Sequence, residues 1–348
     1  MRIGKRIAAG FLAAALTIGT LAGCSSSLRG VKKADYPALT AAVYGTQEIK
    51  LAEVNYYLRN LQYVYEMIYG SYYGEDMWTM TSGGPKTMEA SVKESTLSKI
   101  YQIYVLNEKA AEWEIALTEE DQQKVEEAVD KYLEDTSEKI LDEVGLDRDG
   151  LIELYRRNAL ANLVWEETVK DVSTEVSDEE AAQRRITVIA LNDNSEEFVA
   201  EELKEEILSA LEEGKTMSEI AEEKKLAASP YTLGEGDYAD SIGPAAMALK
   251  EGEYDALHVE DYGTWYVIYC DSEFDETATE TKKGSIVTER KAAAFEEVYT
   301  EWKAAAQTFE VDDDVVALLT MDTAMYVPET TTAGEEETSS EAEDETEN

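Results

Sequence analysis

The first half of the chain carries apolar residues at helical spacing. Over residues 49–69 they recur three or four positions apart, which predicts an amphipathic helix that Gly70 and Gly74 end. The apolar positions are Val54, Tyr57, Leu58, Leu61, Val64, Tyr65 and Ile68. Tyr57, Tyr65 and Ile68 share one face of this helix, which the pattern assigns to the inside.

Three further helices follow from the same spacing before residue 178. They are predicted over 87–116, from Thr118 to Val144, and from Asp149 onward. Thr118 and Ser177 each precede acidic residues and therefore read as N-cap residues that open a helix. Residues 32–178 are thus expected to be mostly helical.

The pattern changes between Arg184 and Ser272. Runs of β-branched and aromatic residues at 185–191 and 263–270 predict two strands. Between them lie an amphipathic helix that stops at Gly214, a shorter helix over 217–226, a glycine-punctuated loop at 233–236 and a short helix over 245–253. This order predicts an α+β unit of about ninety residues, enough for a small core of its own.

After this unit the chain returns to helical spacing. Residues 286–307 predict a helix with Phe295, Val298, Tyr299 and Trp302 on one face, followed by an extended piece over 308–327. Residues 328–348 contain no basic and no aromatic residue, so the sequence predicts a disordered acidic tail there.

The N-terminus has the pattern of a bacterial lipoprotein signal. Arg2, Lys5 and Arg6 precede a short apolar core, which predicts that residues 1–23 are a targeting segment. Leu21-Ala22-Gly23-Cys24 matches the lipobox, which predicts acylation of Cys24 and a tether over 24–39. The alternative is a plain secretory peptide followed by an incidental cysteine. Two acyl chains would hold the protein stably at the outer face of the cell membrane.

The overall charge argues against two classes of binding partner. The chain has 75 acidic and 31 basic residues, a formal net charge of -44. Binding to nucleic acid depends on neutralising phosphates, so this charge argues against a nucleic-acid partner. It also argues against docking on an anionic membrane surface, which leaves the lipid anchor as the predicted membrane contact.

Residues 184–272 resemble the parvulin-type peptidyl-prolyl isomerase domain. The residues that carry the resemblance are Leu233-Gly234 in the loop, Ala245, Leu249, Gly252 and Glu253 in and after the short helix, and Trp265 with Val267-Ile268 in the last strand. This resemblance implies an α+β fold with an apolar pocket fitted to the proline ring.

The chain departs from that family at the pocket itself. Ile186 (or Thr187, if the register of the first strand slips by one) and Tyr266 stand where the family has histidines, and Ile242 stands where it has a phenylalanine. The resemblance therefore implies a parvulin-like scaffold without efficient isomerase activity and with no confident catalytic residue. An active isomerase with a rearranged pocket is the alternative.

The whole layout resembles the SurA- and PrsA-like extracytoplasmic foldases. Residues 43–49 stand where that family has a short element leading into its first helix, and the acidic segment 175–180 stands where it closes its helical region. The resemblance implies a helical chaperone domain formed by 40–183 and 285–327, discontinuous because the parvulin-like domain 184–272 is inserted into it.

Few residues point to covalent or metal chemistry. His258 is the one histidine, and it is read as a structural residue in a loop. No metal site, nucleotide or other cofactor is predicted. Tyrosines are the more informative residues, because seven of them fall between Tyr56 and Tyr73 beside methionines, a composition suited to adaptable contacts. The candidate peptide-binding residues are Tyr63, Tyr69, Tyr72, Leu233, Met247, Tyr254 and Tyr266.

These observations predict a lipid-anchored extracytoplasmic foldase or chaperone. Its predicted partners are unfolded or newly secreted polypeptides. A non-catalytic surface lipoprotein that binds one fixed protein partner is the alternative from another functional class.

Overall fold

The computed structural model describes residues 28, 30–81 and 84–326. The predicted signal segment, the lipobox with Cys24 and the acidic tail lie outside the described residues. The chain divides into two compact units, Met1–Val164 with Ala306–Asn348 as the first and Trp165–Ala305 as the second. Helices and sheets both contribute, so the predicted α+β class is confirmed.

The first unit begins with a short 3₁₀ helix (Lys33–Ala38) and a β-hairpin and continues as helices. Its elements up to the boundary are β1 (Thr40–Tyr44), β2 (Gln47–Lys50), α1 (Leu51–Tyr73), α2 (Met88–Glu112), α3 (Glu119–Asp135), α4 (Glu138–Val144) and α5 (Arg148–Val169), the last of which crosses into the second unit.

The second unit contains most of the strands. Its elements are α6 (Asp178–Ala181), β3 (Arg184–Asn192), α7 (Ala200–Glu212), α8 (Met217–Lys224), β4 (Ala228–Leu233), α9 (Gly243–Ala248), β5 (Tyr254–Val259), β6 (Thr264–Ser272) and α10 (Glu276–Ala305). The chain then returns to the first unit as β7 (Phe309–Val311) and α11 (Asp313–Val316). The predicted domain limits stay a prediction.

Helix α1 runs further than its glycine pattern predicted. It continues through Gly70 to Tyr73 and stops at Gly74, whose φ of 61° lies in the left-handed region. A single glycine inside a helix costs only about 1 kcal/mol, so Gly70 is tolerated. Gly74 ends the helix because its backbone conformation suits a residue without a Cβ atom.

The predicted helix from Thr118 to Val144 is two helices. Thr118 caps α3 as predicted, since its hydroxyl accepts the N–H of Asp121 at 3.1 Å. The chain then leaves the helical conformation at Thr136 and Ser137, both extended, before α4 begins. Short hydroxyl side chains compete for backbone hydrogen bonds and so favour such a break.

Helix α10 starts ten residues earlier than predicted. The side chain of Asp275 accepts the N–H of Ala278 at 3.0 Å and opens the helix there. Phe295 and Tyr299 are buried on it, and their rings stack with centroids 5.4 Å apart. The apolar stripe predicted for this helix is therefore buried at these two positions, and Val298 and Trp302 are half-buried.

The second unit is built on a four-stranded antiparallel sheet in the order β4-β3-β6-β5. Only the two central strands were predicted. No prediction covered most of β4, and His258, which was expected in a loop, lies on β5. Both missed strands are at the edges of the sheet. Edge strands are short and polar and can contain proline, as β4 does at Pro230, so their apolar alternation is weak.

Each face of this sheet is covered by different helices. Ile189, Leu191 and Val267 pack against α7 and α8. Ile186, Val188 and Ile268 point to the opposite face and pack against α9. Successive residues of a strand point to opposite faces, which produces the division. We call the second of these surfaces the α9 face.

Helix α9 is shorter than the predicted 245–253. It ends at Ala248, and Leu249 is already extended. Its first residue must be a glycine, because a Cβ atom at Gly243 would lie 2.1 Å from the carbonyl oxygen of Asp237.

No helix among the described residues has the length and apolar character needed to span a bilayer.

Candidate functional site

Helix α1 has two halves with opposite surroundings. Every residue from Leu51 to Arg59 is buried, because α2, α4 and β1 surround this half. From residue 60 to the end of the helix, the buried residues are Gln62 and Glu66, which are both polar. Most of the large apolar side chains of that second half are exposed instead, and Leu61 and Tyr65 are half-buried.

A ladder of polar side chains explains which way α1 faces. Asn55, Arg59, Gln62 and Glu66 recur every three or four residues and share one face of the helix. Asn55 donates to the carbonyl oxygens of Glu143 and Val144 at 2.7 and 2.9 Å. These bonds fix the start of the ladder against the end of α4.

The rest of the ladder holds the C-terminal segment 319–326. Arg59 donates to the carbonyl of Thr320 and Gln62 to that of Thr323, each at 2.9 Å. Glu66 accepts the N–H groups of Met325 and Tyr326 at 2.7 and 2.8 Å. Arg59, Gln62 and Glu66 are thus satisfied in part by backbone groups of one segment near the C-terminus.

The opposite face of α1 is an apolar stripe that becomes progressively exposed. Tyr57 is buried, Leu61 is half-buried, and Ile68 is 48% exposed. Around this stripe lie further exposed side chains. We define the α1 surface as Tyr63, Val64, Met67, Ile68, Tyr69, Tyr72 and Tyr73. Tyr72 is the most open of these, with 81% of its area accessible.

A groove lies on each side of α1, and both reach the α1 surface. The α1–α3–α4 groove has a volume of about 910 Å³ and includes Tyr63, Tyr132, Lys139 and Tyr326. The α1–α2–α5 groove has a volume of about 390 Å³ and a largely apolar wall. It is lined by Tyr56, Tyr57, Asn60, Leu61, Val64, Thr96, Lys99, Tyr155 and Asn158.

A group of tyrosine rings separates the two grooves. The ring of Tyr56 lies 5.3 Å from that of Tyr57, 6.0 Å from that of Tyr132 and 6.3 Å from that of Tyr155. Burial raises the pKa of Tyr132 to about 12 and raises the pKa values of Tyr56 and Tyr57 further. The phenols of Tyr56, Tyr57 and Tyr132 are therefore neutral at physiological pH and present apolar ring faces.

The α9 face of the second unit is packed, in contrast to α1. Ile186 is fully buried and Ile242 nearly so, and Tyr266 packs half-buried against the same cluster. The guanidinium of Arg184 donates to the carbonyl oxygens of Ala246 and Leu249 at 2.5 and 2.7 Å, which holds the end of α9 on the sheet. Cys270 is buried there, and burial raises the pKa of its thiol.

Comparison with known proteins gives structural matches. The chain is similar to the foldase PrsA of Lactococcus lactis, with 12% identity, 80% of this chain and 96% of that chain covered, and a TM-score of 0.32. It is also similar to the peptidylprolyl isomerase PrsA of Bacillus cereus, with 17% identity, coverages of 68% and 94%, and a TM-score of 0.34.

A third match is a structure from Campylobacter jejuni described as two structurally related SurA-like chaperones. Its identity is 10%, its coverages are 79% and 99%, and its TM-score is 0.29. No protein-family model and no curated protein matches the chain. These are the foldases that the sequence motifs resemble, and at such TM-scores we draw nothing further from them.

Of the residues predicted to bind peptide, three lie together on α1. Tyr63, Tyr69 and Tyr72 all belong to the α1 surface. Of the four in the second unit, Met247 is exposed on α9, whereas Tyr254 and Tyr266 are half-buried beside the sheet.

Leu233 requires a correction. It is fully buried among Ile186, Ile242 and Ala246, so it belongs to the core and has no surface for a peptide. The prediction failed because Leu233 ends the unrecognised strand β4 and points inward. Ile68 was assigned to the inner face and is exposed, because the buried face of α1 is the polar ladder.

The sequence also missed residues that complete the grooves. Tyr132, Tyr155 and Lys99 come from three different helices and reach the same region only in the folded chain. Their spacing in the sequence carries no signal of this. His258 has a partner in Asp193, whose carboxylate lies 2.7 Å from its Nε2 atom, and it is not part of either groove.

Proposed function

We propose that this protein is a foldase or chaperone that binds incompletely folded polypeptides through the α1 surface and its two grooves. One observation carries the proposal: the second half of α1 exposes seven large apolar or aromatic side chains while it buries the polar residues Gln62 and Glu66. Clusters of exposed apolar side chains mark sites where folded proteins bind partners.

The chemistry of the α1 surface fits varied partners. Tyrosine combines an apolar ring with a polar hydroxyl, and methionine adapts its flexible chain to different shapes. The adjoining grooves offer concave sites where a client side chain loses more contact with water than on a flat patch. A concave aromatic surface favours a chaperone over a lipoprotein with one fixed partner.

We further propose that the protein does not catalyse prolyl isomerisation efficiently. The barrier of about 18–20 kcal/mol comes from amide resonance, and lowering it requires a pocket that receives the proline and stabilises the twisted amide. Ile186 and Ile242, at two of the family's pocket positions, are packed into the α9 face. Their side chains offer no hydrogen bond to a peptide.

The site of action in this proposal is outside the cytoplasm, with Cys24 as the lipid anchor and no contact with nucleic acid. The lipobox and the net charge support it. Cys24→Ala should abolish metabolic labelling with a lipid precursor and move the protein out of the membrane fraction. Unchanged labelling and fractionation would exclude this anchor.

The central test measures two activities of the purified full chain. The protein should suppress the aggregation of a chemically unfolded client. It should leave the rate of proline isomerisation in a model peptide, which takes tens of seconds at 25 °C, nearly unchanged. Strong acceleration of isomerisation would show that a working pocket exists with different residues.

A matched pair of variants locates the binding surface. Ile68→Asp combined with Tyr72→Asp places two charges on the α1 surface and should remove most of the suppression. Val199→Asp changes an equally exposed residue in the second unit, at the N-cap of α7 where aspartate is favoured, and should not affect suppression. If both variants suppress aggregation equally well, the α1 surface is not the client-binding site.

A further inference from the structure

We propose that the α1–α2–α5 groove selects client segments in which a large apolar side chain lies next to a carboxylate, and that Lys99 binds that carboxylate. This inference rests on the proposed function and specifies the class of segment that the protein prefers. It is carried by the lining of the groove and by the surroundings of Lys99.

The groove presents apolar walls because its polar groups are used internally. Asn158 donates to the hydroxyl of Tyr57 at 2.6 Å and to the carbonyl of Leu154 at 2.7 Å. The hydroxyl of Thr96 donates to the carbonyl of Val92 at 2.8 Å. A client therefore meets mainly the rings of the tyrosines and the side chains of Leu61 and Val64.

The size of the groove suits one large side chain with part of its neighbour. Its volume of about 390 Å³ lies at the lower end of the range of ligand pockets. An aromatic ring buried there would contact the tyrosine rings in the tilted and edge-on geometries that such rings prefer.

Lys99 is the one charged residue of this lining, and it has no acidic partner among the described residues. The positions one helical turn away from it are Ser95, Thr96, Gln102 and Ile103, none of which can form an ion pair with it. Its ammonium group lies over the ring of Tyr57, 5.5 Å from the centroid.

Other lysines of α2 differ in this respect. Lys93 is paired with Glu89 at 2.6 Å and Lys109 with Glu112 at 2.8 Å, each on the same helix. In a chain with more than twice as many acidic as basic residues, such pairing is expected of most lysines. Lys99 therefore presents a positive charge at the edge of an apolar groove, where a client carboxylate can reach it.

The large negative charge of the protein does not prevent this preference. At physiological ionic strength the Debye length is about 8 Å, so distant acidic residues are screened while a direct contact with Lys99 is not. The carboxylate can come from an aspartate or glutamate side chain or from the free C-terminus of a chain. The chemistry at Lys99 is the same in both cases.

The test measures binding of short fluorescent peptides to the full chain by anisotropy at about 0.15 M salt. Four peptides share one sequence around a phenylalanine. They place aspartate, asparagine or lysine after it with an amidated C-terminus, or they end at phenylalanine with a free carboxylate. The aspartate peptide should bind about two- to fivefold more tightly than the asparagine peptide, the effect of one exposed ion pair. Comparison with the free-terminus peptide shows which source of carboxylate is preferred.

Variants assign the preference to Lys99. Lys99→Gln should make the aspartate and asparagine peptides bind equally, and Lys99→Glu should shift the preference to the lysine peptide. Lys131→Gln, which removes an exposed lysine paired with Asp135 on α3, should retain the wild-type preference. Because Lys99 is exposed, these changes leave the core intact.

The outcomes separate this inference from the proposed function. A wild-type protein without charge preference, or a preference that survives Lys99→Gln, overturns the inference while suppression of aggregation still supports a chaperone. Absence of both peptide binding and suppression overturns the two together.

Discussion

The α9 face and the second half of α1 both carry apolar side chains, but those of the α9 face are buried and most of those on α1 are exposed. On the α9 face, Ile186 and Ile242 are covered by a short helix and by neighbouring strands. On α1, Val64 and Ile68 extend the stripe begun by Tyr57 and Leu61 but remain in contact with solvent. Apolar character alone therefore does not tell which surface is closed and which is available to a partner.

Hydrogen bonds account for the difference. Arg184 satisfies two carbonyl groups at the end of α9 and so allows that helix to cover the sheet. On α1 the ladder of Asn55, Arg59, Gln62 and Glu66 turns the polar face inward. Its bonds fix the rotation of the helix about its axis, because leaving those groups buried and unpaired would be costly. The apolar stripe must then face outward.

The largest expected effect is on the free energy of unfolding, and it compares one substitution in each of the two regions. Ile186→Ala should lower the free energy of unfolding by about 2–5 kcal/mol, because it leaves a cavity in the packed α9 face. The matched change Ile68→Ala on the α1 surface should cost less than about 0.5 kcal/mol. Denaturant titration of both variants measures this. Similar costs would mean that Ile68 is covered in solution.

The next effect tests the ladder. Gln62→Ala removes the donor to the carbonyl of Thr323 and a partner of Glu66, so it should cost about 1–3 kcal/mol of stability. Gln123→Ala removes an exposed glutamine on α3 that bonds to Glu127, and it should be nearly neutral. Denaturant midpoints provide the comparison. If Gln62→Ala is as mild as its control, the ladder does not fix α1.

A smaller effect depends on pH and concerns α8, on the sheet face opposite α9. The backbone N–H and hydroxyl of Thr216 bond to Glu219 and lower the pKa of its carboxyl. A carboxyl group whose pKa is lower in the folded than in the unfolded state stabilises the fold at pH values above the ordinary carboxyl range. This stabilisation is lost as the pH falls through the pKa of the folded state.

Glu219→Gln should therefore be less stable than the natural protein near neutral pH. The difference should shrink as the carboxyl of the natural protein becomes protonated in acid. Thermal midpoints of the two proteins across this pH range measure it, with Glu222→Gln, one turn along the same helix, as the control. A difference that stays constant with pH would mean that Glu219 contributes no titrating interaction.

The smallest effect concerns the predicted acidic tail. Removal of residues 329–348 should leave the thermal midpoint nearly unchanged, because this composition offers little apolar area to bury. It should also leave suppression of aggregation intact if the α1 surface is the binding site. A drop of several degrees would show that the tail packs on the folded protein.

The sequence predicted local elements better than their surroundings. The pattern correctly located two helix caps, at Thr118 and Ser177, and the two central strands, β3 and β6. These features depend on residues close together in the chain. The edge strands β4 and β5 were missed because a strand paired on one side only needs no regular apolar alternation.

The candidate site was predicted in part. The concentration of tyrosines after Tyr56 pointed to α1, and Tyr63, Tyr69 and Tyr72 are exposed there. The inner face of α1 was wrongly assigned, since apolar spacing favoured the side of Ile68 and the polar ladder occupies the buried side. Periodicity assumes that the apolar side of a helix is inside, and this helix is an exception.

The sequence by itself determined the α+β class, most helices and the two central strands, because each depends on local spacing or on residue identity. Only the tertiary structure decided which apolar stripe is covered and which three helices line the groove beside Lys99. The rotation of α1 depends on backbone groups more than 250 residues away from Arg59 and Gln62 along the chain, at Thr320 and Thr323. The groove depends on residues of three helices that are separated in the sequence. No local pattern contains that information, because burial is a property of what packs on a side chain and not of the side chain itself.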